Sequence, residues 1–252
     1  MTASSFYVLI LYIEKMAKVL GIMVARGGSK SIPRKNMKEL GGKPLIAWTI
    51  EAAKKSGIFD RIILSTDDNE IAEISKELGI EVPFMRPEKL AEDTTPTLPV
   101  IEHAVSWMRE HENYEPNFVA ILQPTAPLRQ DRHLKEAFAL LEKTGADSVV
   151  SVSPIPGEHN PHWQFSIEPD GALKLFTDEP ISKIIKRRQE LPVTYTRNGA
   201  IYIFKKELLD LPEPNFYGKK TYGYVMEPKY SVNIDTPEDW FRAEIYLRDK
   251  NL

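Results

Sequence analysis

Short runs rich in β-branched residues alternate with longer amphipathic stretches from Lys18 onward, and this alternation constrains the fold more than any other sequence feature. It is typical of an α/β domain with a largely parallel sheet. The runs that predict strands are VLGIMVA, RIILST, EVPF, NFVAILQ, DSVVSVS, GAIYIF and a short run at YSVNI. The stretches that predict helices are PLIAWTIEAAKKSG, DNEIAEISKELG, TLPVIEHAVSWMREH, DRHLKEAFALLEKTG and a last helix with Thr236 as N-cap and Pro237 as its first residue. Proline near helix starts and glycine after helix ends agree with these bounds.

The alternation breaks after Pro154. The segment WQFSIEPDGALKLF has two half-apolar runs around a Pro-Asp-Gly turn, which predicts a hairpin, and the basic stretch ISKIIKRRQELP follows it. We interpret residues 155–195 as an insertion between strands, and residues 16–154 and 196–252 as the main α/β domain. From pattern alone, an oligomer interface, a substrate lid and a decorated surface all remain open for the insertion.

Residues 1–15 are interpreted as an N-terminal extension. Their apolar run FYVLILYI is too short to cross a bilayer and lacks the flanks of a signal peptide. The extension is either a packed extra segment or the product of a start codon upstream of Met16. We expect no membrane partner.

The overall charge bounds the kind of partner. A formal net charge of -3 and a pI near 6.0 exclude a broad basic surface for nucleic acid, so basic clusters are interpreted as local sites. The chain has no cysteine, which excludes disulfides and thiolate metal sites and suits a reducing compartment. A cytoplasmic location is therefore expected.

Residues 24–36, VARGGSKSIPRKN, concentrate positive charge at the carboxyl end of the first predicted strand, where open α/β sheets bind ligands. Gly27 and Gly28 allow close backbone approach and positive φ, and Ser29 adds a hydroxyl. No acid balances the basic residues, which are Arg26, Lys30, Arg34 and Lys35. A triphosphate would match this charge, although a solvated basic turn is the alternative. The glycine spacing is neither that of a P-loop nor that of a dinucleotide fingerprint.

Polar stretches also follow the next predicted strands, so they should meet at the same edge of the sheet. These stretches are STDD (65–68), RPEKLAEDTTPT (86–97) and QPTAPLR (123–129). Asp67 and Asp68 are best explained as helix caps. Gln123 is better explained as a ligand contact, because its amide can both donate to and accept from a base or a sugar hydroxyl.

The motifs IMVARGGSKSIPRKN, RPEKLAEDT, LQPTAPLR, NGAIY and IDTPEDW, in this order, resemble those of the acylneuraminate cytidylyltransferases, or CMP-sialic acid synthetases. That family includes relatives that activate legionaminic, pseudaminic and similar nine-carbon keto sugar acids. The likeness extends from Lys18 to Tyr246. It implies a three-layer, Rossmann-like nucleotidyltransferase fold with a mostly parallel mixed sheet and a small dimerisation insertion.

The resemblance also implies a reaction. The anomeric 2-hydroxyl of a nonulosonic acid attacks the α-phosphorus of CTP with Mg²⁺ or Mn²⁺ as cofactor, giving a CMP-sugar and pyrophosphate. CTP and a nine-carbon keto sugar acid are then the ligands, and the enzyme is a homodimer through residues 155–195. No covalent enzyme intermediate is expected. His103, His111 and His133 are accordingly interpreted as ordinary helix residues.

Site residues are carried over by matching positions in these motifs. Arg26 and Lys35 match the catalytic basic pair. The positions that match nucleotide contacts are Ala25, Gly27, Gly28, Ser29, Lys30, Asn36 and Arg86. The positions that match sugar contacts are Gln123, Arg188, Arg197 and Asn198, and Arg188, which lies in the insertion, suggests a pocket shared by two subunits.

The metal site departs from the family pattern. The stretch SVNIDTPED has Asn233 and Asp235 where sialate enzymes have two aspartates. Asp235 is predicted to bind the metal and Asn233 to contribute a carbonyl or an outer hydrogen bond; the alternative is that Asp235 caps the last helix. Thr196-Arg197 replaces a common Arg-Pro, and Trp163 stands where some sialate-specific members have lysine, so the identity of the sugar stays open.

Two other classes of function compete with this one. Another nucleotidyltransferase or a nucleotide-sugar-using glycosyltransferase could share the sheet and the basic loop, but the pair QPTAPLR and NGAIY argues against both. A non-catalytic nucleotide-sugar sensor is the third possibility, supported only by the replacement of an aspartate by Asn233.

Overall fold

The computed structural model of the chain describes residues 17–249, so the predicted extension, residues 1–15, lies outside the described part. The strands are β1 Val19–Val24, β2 Glu39–Leu40, β3 Lys43–Pro44, β4 Arg61–Ser65, β5 Phe118–Leu122, β6 Ser148–Pro154, β7 Phe165–Ile167, β8 Leu173–Leu175, β9 Tyr195–Lys205 and β10 Thr221–Val225. The α-helices are α1 Leu45–Ser56, α2 Asn69–Glu77, α3 Thr97–Glu112, α4 Asp131–Thr144 and α5 Pro237–Arg248.

Six strands form one mixed sheet in the order β10-β6-β9-β5-β1-β4. β1 is parallel to β4 and β5, and β10 is parallel to β6. β9 runs antiparallel to its neighbours β5 and β6. The prediction of an α/β fold with a mostly parallel mixed sheet is confirmed. One edge of the sheet therefore collects the carboxyl ends of the parallel strands and the beginning of β9.

Helices cover both faces of this sheet. Successive strand residues point to opposite faces, so Met23 packs with α1, α2 and α4 while its neighbour Ile22 packs with α3. In a third hydrophobic cluster, α5 packs against the segment that contains Ile32 and Leu40. The result is a three-layer arrangement, and α5 braces the segment that follows β1.

Helix ends follow the predicted chemistry. Gly57, after α1, has a φ of 63°, a value that favours glycine. Asp68 caps α2 by accepting from Ile71 N. Thr236 caps α5 with Pro237 at its start, as predicted.

Two predicted strands are wrong. EVPF forms only an isolated bridge between Glu81 and Ile63, because Pro83 removes a donor from a sheet ladder. YSVNI forms no strand in the described structure, and its first residue is the last of a short 3₁₀ turn, Pro228–Tyr230. The sheet instead gains β10, an exposed edge strand whose TYGYV sequence lacks a clear apolar alternation.

The predicted hairpin in the insertion is present as β7 and β8, paired from Phe165 with Leu175 to Ile167 with Leu173. Several large apolar side chains of this region are exposed, among them Ile167 at 74% and Phe176 at 70%. No helix between residues 17 and 249 has the length and apolar character needed to span a bilayer.

Candidate functional site

A cavity of about 440 Å³ lies at the carboxyl ends of β1 and β5. The predicted site residues that line it are Arg26, Gly28, Ser29, Lys35, Asn36, Arg86, Gln123, Asn233 and Asp235. They come from distant parts of the sequence. The late segment reaches the cavity because Ile234 N donates to the Thr125 carbonyl at 2.8 Å.

Close backbone approach holds the start of the basic loop. Ala25 is buried and donates its amide to the Ser65 carbonyl at 3.2 Å, and Gly27 N donates to Asp67 Oδ1 at 3.1 Å. A Cβ at Gly27 would lie 2.5 Å from Asp68 Oδ2, so this position requires glycine. Neither Gly27 nor Gly28 has the positive φ that glycine allows. Asp67 holds the loop rather than capping a helix.

Arg34 is the loop residue in the left-handed region, with a φ of 54°. Its Nη1 donates to Asp68 Oδ2 at 2.6 Å, and its Nη2 pairs with Glu70. Because Asp68 also caps α2, these pairs tie the loop to the start of that helix. Sequence reasoning left Arg34 without a role, and the structure makes it a brace outside the cavity lining.

Asp93 contacts the basic loop from the segment before α3. Its Oδ1 lies 2.5 Å from Arg26 Nη1, and its Oδ2 pairs with Lys30. Hydrogen bonds from Lys30 and then Arg26 hold the pKa of the Asp93 carboxyl below its usual range. Sequence reasoning missed this residue, although an acid at a strand-end stretch opposite an acid-free basic loop was a usable signal.

Lys35 and Asn36 point inward. The Lys35 side chain is 11% exposed; its Nζ donates to the Ile234 carbonyl at 2.7 Å and lies 3.4 Å from Asp235 Oδ1. Asn36 is buried, and its Nδ2 donates to the Arg26 carbonyl at 3.0 Å. The loop thus brings its last cation to the segment that carries Asp235.

Arg86 places a buried guanidinium in the cavity wall. Its Nε donates to Ser65 Oγ at 3.0 Å and its Nη2 to the Ser65 carbonyl. Burial, opposed by the nearby charge of Asp67 and aided by that of Arg26, lowers the pKa of Arg86 to about 10, so its charge is only partly balanced. Since burial penalises an unbalanced charge, an anionic or polar ligand beside Arg86 would be stabilised.

The opposite wall is built from amides. Gln123 faces Gly199, where the φ is 72° and an added Cβ would lie 3.1 Å from Gln123 Oε1. Asn198 is buried: its Oδ1 accepts from Ser151 Oγ at 2.5 Å and its Nδ2 donates to Ser231 Oγ at 3.0 Å. Arg129, also buried, donates through Nη1 to the Ala200 carbonyl. These contacts fix the start of β9 beside Gln123.

Two oxygen-bearing side chains lie where a metal was predicted. Asn233 Nδ2 donates to Asp235 Oδ2 at 2.6 Å, and Asn233 Oδ1 is buried without a hydrogen-bond partner. The cap of α5 is formed by Thr236 with Asp239, which leaves the Asp235 carboxylate to other uses. Residues 17–249 hold no cluster of three or more His, Cys, Asp or Glu suited to a metal. An orphaned carbonyl beside one carboxylate fits Mg²⁺, which takes further ligands from water and substrate phosphates.

Three predicted sugar contacts do not line the cavity of their own chain. Arg188 lies in the insertion and is largely exposed; its Nη2 is 3.7 Å from Glu158 Oε2. Arg197 donates through Nη1 to the Tyr217 hydroxyl at 2.6 Å. Asn198 is buried, and its hydrogen bonds with Ser151 and Ser231 support the start of β9. The roles of all three residues in sugar binding stay predictions.

The three histidines lie on helices. His133 Nδ1 accepts from Gln130 N at 3.1 Å, and burial lowers the pKa of His133 to about 4. His111 stacks on Trp107, and His103 packs edge-on against Phe84. All three have packing or capping contacts that explain their presence.

Comparisons with known proteins agree with this geometry. The sequence model of one family, described as cytidylyltransferase, matches residues 20–251. Over 234 residues the chain is 38% identical to N-acylneuraminate cytidylyltransferase A of Danio rerio, covering 92% of this chain and 51% of that protein. It is 37% identical over 233 residues to CMP-N,N'-diacetyllegionaminic acid synthase of Legionella pneumophila, covering 90% and 95%. The chain therefore spans about half the length of the first relative and nearly all of the second.

Solved structures share the fold. A CMP:2-keto-3-deoxy-manno-octonic acid synthetase complexed with CTP superimposes with a TM-score of 0.66 at 17% identity, covering 93% of this chain and 100% of that one. A 4-diphosphocytidyl-2C-methyl-D-erythritol synthase from Anaerococcus prevotii has a TM-score of 0.61 at 14% identity, with the same coverage.

Proposed function

The chain belongs to the cytidylyltransferase family, and from that premise we propose that it transfers CMP from CTP to the anomeric 2-hydroxyl of a nonulosonic acid. The acceptor is a sialic acid or a related legionaminic- or pseudaminic-type sugar, as the names of the relatives suggest. The observation that carries the proposal is the cavity that joins the basic loop, Arg86 and Gln123 at one edge of the sheet.

The reaction is a displacement at phosphorus. The 2-hydroxyl oxygen bonds to the α-phosphorus and loses its proton to solvent, while the bond to the bridging oxygen breaks and its electron pair leaves with pyrophosphate. Negative charge concentrates on the phosphate oxygens, so fixed cations supply most of the stabilisation. Arg26 and Lys35 supply it at the reacting phosphate.

The nucleotide binds to the wall of the cavity that the basic loop forms. Gly28, Ser29 and Lys30 hold the phosphate tail through backbone amides, a hydroxyl and an ammonium group. Gly27 shapes the turn, and the buried Ala25 anchors its start through the hydrogen bond to the Ser65 carbonyl. Arg86 and Asn36 lie by the base and ribose, and the only partly balanced charge of Arg86 supports a polar partner there.

Asp235 and Asn233 would hold the metal, Mg²⁺ or Mn²⁺. When bound, it supplies positive charge at the phosphate oxygens. The free Asn233 Oδ1 and the exposed Asp235 carboxylate are the donors. Lys35 Nζ, 3.4 Å from Asp235 Oδ1, orients that carboxylate.

The sugar lies against Gln123, and its carboxylate is held by guanidinium groups. Arg197 can supply one from β9, with Asn198 fixing the strand. Arg188, in the insertion, would supply another from a second subunit, and its position outside the cavity lining of its own chain is compatible with that. The exposed apolar side chains of the insertion support a homodimer through residues 155–195. A sequence without cysteine supports a cytoplasmic location.

A direct assay tests this function. Purified protein is incubated with CTP, Mg²⁺ and each of several nonulosonic acids, and pyrophosphate release and CMP-sugar formation are measured. We expect both with at least one sugar, and neither when EDTA is present or the sugar is omitted. Release only with another sugar acid or another nucleotide would overturn the assignment, and no release at all would favour a nucleotide-sugar sensor.

A further inference from the structure

The carboxylate of Asp93 forms ion pairs with Arg26 and Lys30, two cations that we assign to the phosphates of CTP. Asp93 Oδ1 lies 2.5 Å from Arg26 Nη1, and Asp93 Oδ2 pairs with Lys30. Carboxylates and phosphates accept from guanidinium and ammonium groups in similar geometry. A bound triphosphate therefore requires the donors that Asp93 holds.

The segment that carries Asp93 is held by its own backbone. A 3₁₀ turn, Glu88–Leu90, precedes it. Thr95 donates its amide to the Glu92 carbonyl at 3.1 Å and its hydroxyl to the Lys89 carbonyl at 3.2 Å. None of these contacts uses the Asp93 side chain, which is 39% exposed. The carboxylate can thus leave the two cations while the segment keeps its shape.

We propose that Asp93 is an internal substitute for the leaving pyrophosphate, an inference that rests on the proposed cytidylyl transfer. Incoming CTP displaces the carboxylate from Arg26 and Lys30. Once the bond between the α-phosphorus and the bridging oxygen has broken, the carboxylate returns to both cations as pyrophosphate departs. Asp93 forms no covalent bond, and it stays ionised because its two cationic neighbours hold its pKa low.

The ion pairs of Asp93 have a strength that suits the release of pyrophosphate. Ion pairs between exposed groups are weak, so a multiply charged phosphate can displace Asp93, yet the carboxylate still opposes tight retention of pyrophosphate. Removal of the competing charge by Asp93→Asn should tighten the binding of free pyrophosphate roughly three- to tenfold. The same change should lower the inhibition constant of pyrophosphate in turnover.

Calorimetric titration of the full chain with inorganic pyrophosphate and Mg²⁺, without CTP or sugar, measures the affinity directly. Glu88→Gln is the charge-matched control, because the exposed Glu88 carboxylate belongs to the same segment, lies outside the cavity lining and has no ion pair within residues 17–249. At physiological salt, where the Debye length is about 8 Å, it should change the affinity less than about twofold. In a Lys30→Ala background the Asp93→Asn effect should shrink, because the two residues act as a pair.

The outcomes separate clearly. The proposal is supported if Asp93→Asn binds pyrophosphate more tightly than wild type, the control variant does not, and the effect depends on Lys30. Equal tightening by both variants, no tightening, weaker binding, or an undiminished effect without Lys30 overturns it, as does a wild-type protein that binds no pyrophosphate. Because this titration needs no turnover, a failed CMP-transfer assay would overturn the proposed function separately.

Discussion

The two walls of the cavity are built from different chemistry. The wall from the basic loop carries cations that the chain itself already pairs, Arg26 with Asp93 and Lys35 with the Ile234 carbonyl. The wall from β5 and β9 carries the neutral amide of Gln123, which lies close to the backbone of Gly199. The first wall must exchange internal partners for a ligand, whereas the second must keep a shape. Charge changes should therefore affect the first wall most, and small steric changes the second.

Arg26→Ala should give the largest effect. Loss of a fixed donor at the reacting phosphate lowers kcat/KM by on the order of 100-fold or more, while thermal unfolding changes little because a third of the Arg26 side chain is exposed. Steady-state kinetics and a melting curve check this. Lys55→Ala, which removes an exposed cation from α1 outside the cavity, should leave kcat/KM at the wild-type value. A collapse of stability in Arg26→Ala would make this side chain structural.

Lys35 requires a different substitution. Unlike Arg26, it has a side chain that is mostly buried. Lys35→Met keeps the apolar stem packed and removes the ammonium, so it is the better partner to Arg26→Ala in the same kinetic test.

Gly199→Ala should affect the second wall. The added Cβ would lie 3.1 Å from Gln123 Oε1, at a φ of 72°. Displacement of that amide should raise KM for the sugar on the order of tenfold and leave KM for CTP unchanged. Gly42→Ala is the matched control, because Gly42 has a φ of 87° and open space around its Cβ position. If both variants shift only stability, Gln123 does not depend on Gly199.

Local pattern predicted much of this molecule, and tertiary contacts account for what it missed. Strands, helices and caps follow from periodicity and turn residues, so the basic loop and Gln123 could be assigned to one edge of the sheet, whereas Asp235 was assigned from the family resemblance. The pairing of Asp93 with Arg26 and Lys30 joins residues more than 60 positions apart, and its signal in the sequence was an acid in a strand-end stretch opposite a basic loop without acids. β10 was missed because an exposed edge strand has little apolar alternation. Gly27 and Gly28 would allow a positive φ in the basic loop, but the positive φ lies at Arg34, which forms ion pairs with Asp68 and Glu70.

Substitutions at Arg34 should give the smallest effect and sharpen the division within the first wall. The ion pairs with Asp68 and Glu70 contribute about 1 kcal/mol or less at an exposed site. They offset the cost of a left-handed conformation, which is roughly 1–2 kcal/mol for a residue with a Cβ. Without them, the left-handed backbone of Arg34→Ala keeps the hydrogen bonds that its carbonyl accepts from Met37 N and Lys38 N but loses both ion pairs, so the loop relaxes and Lys35 shifts. Arg34→Gly needs no such support.

The two variants should therefore differ in catalysis more than in stability. We expect Arg34→Gly to keep KM for CTP within about twofold of wild type and Arg34→Ala to raise it about fivefold, a difference of about 1 kcal/mol that corresponds to the strain. Initial rates at varied CTP measure both, and Arg34→Lys should recover part of the loss in Arg34→Ala by restoring the charge. If Arg34→Gly were as impaired as Arg26→Ala, Arg34 would act on the phosphates themselves. The first wall would then be a uniform patch of charge, instead of two catalytic cations held by a brace.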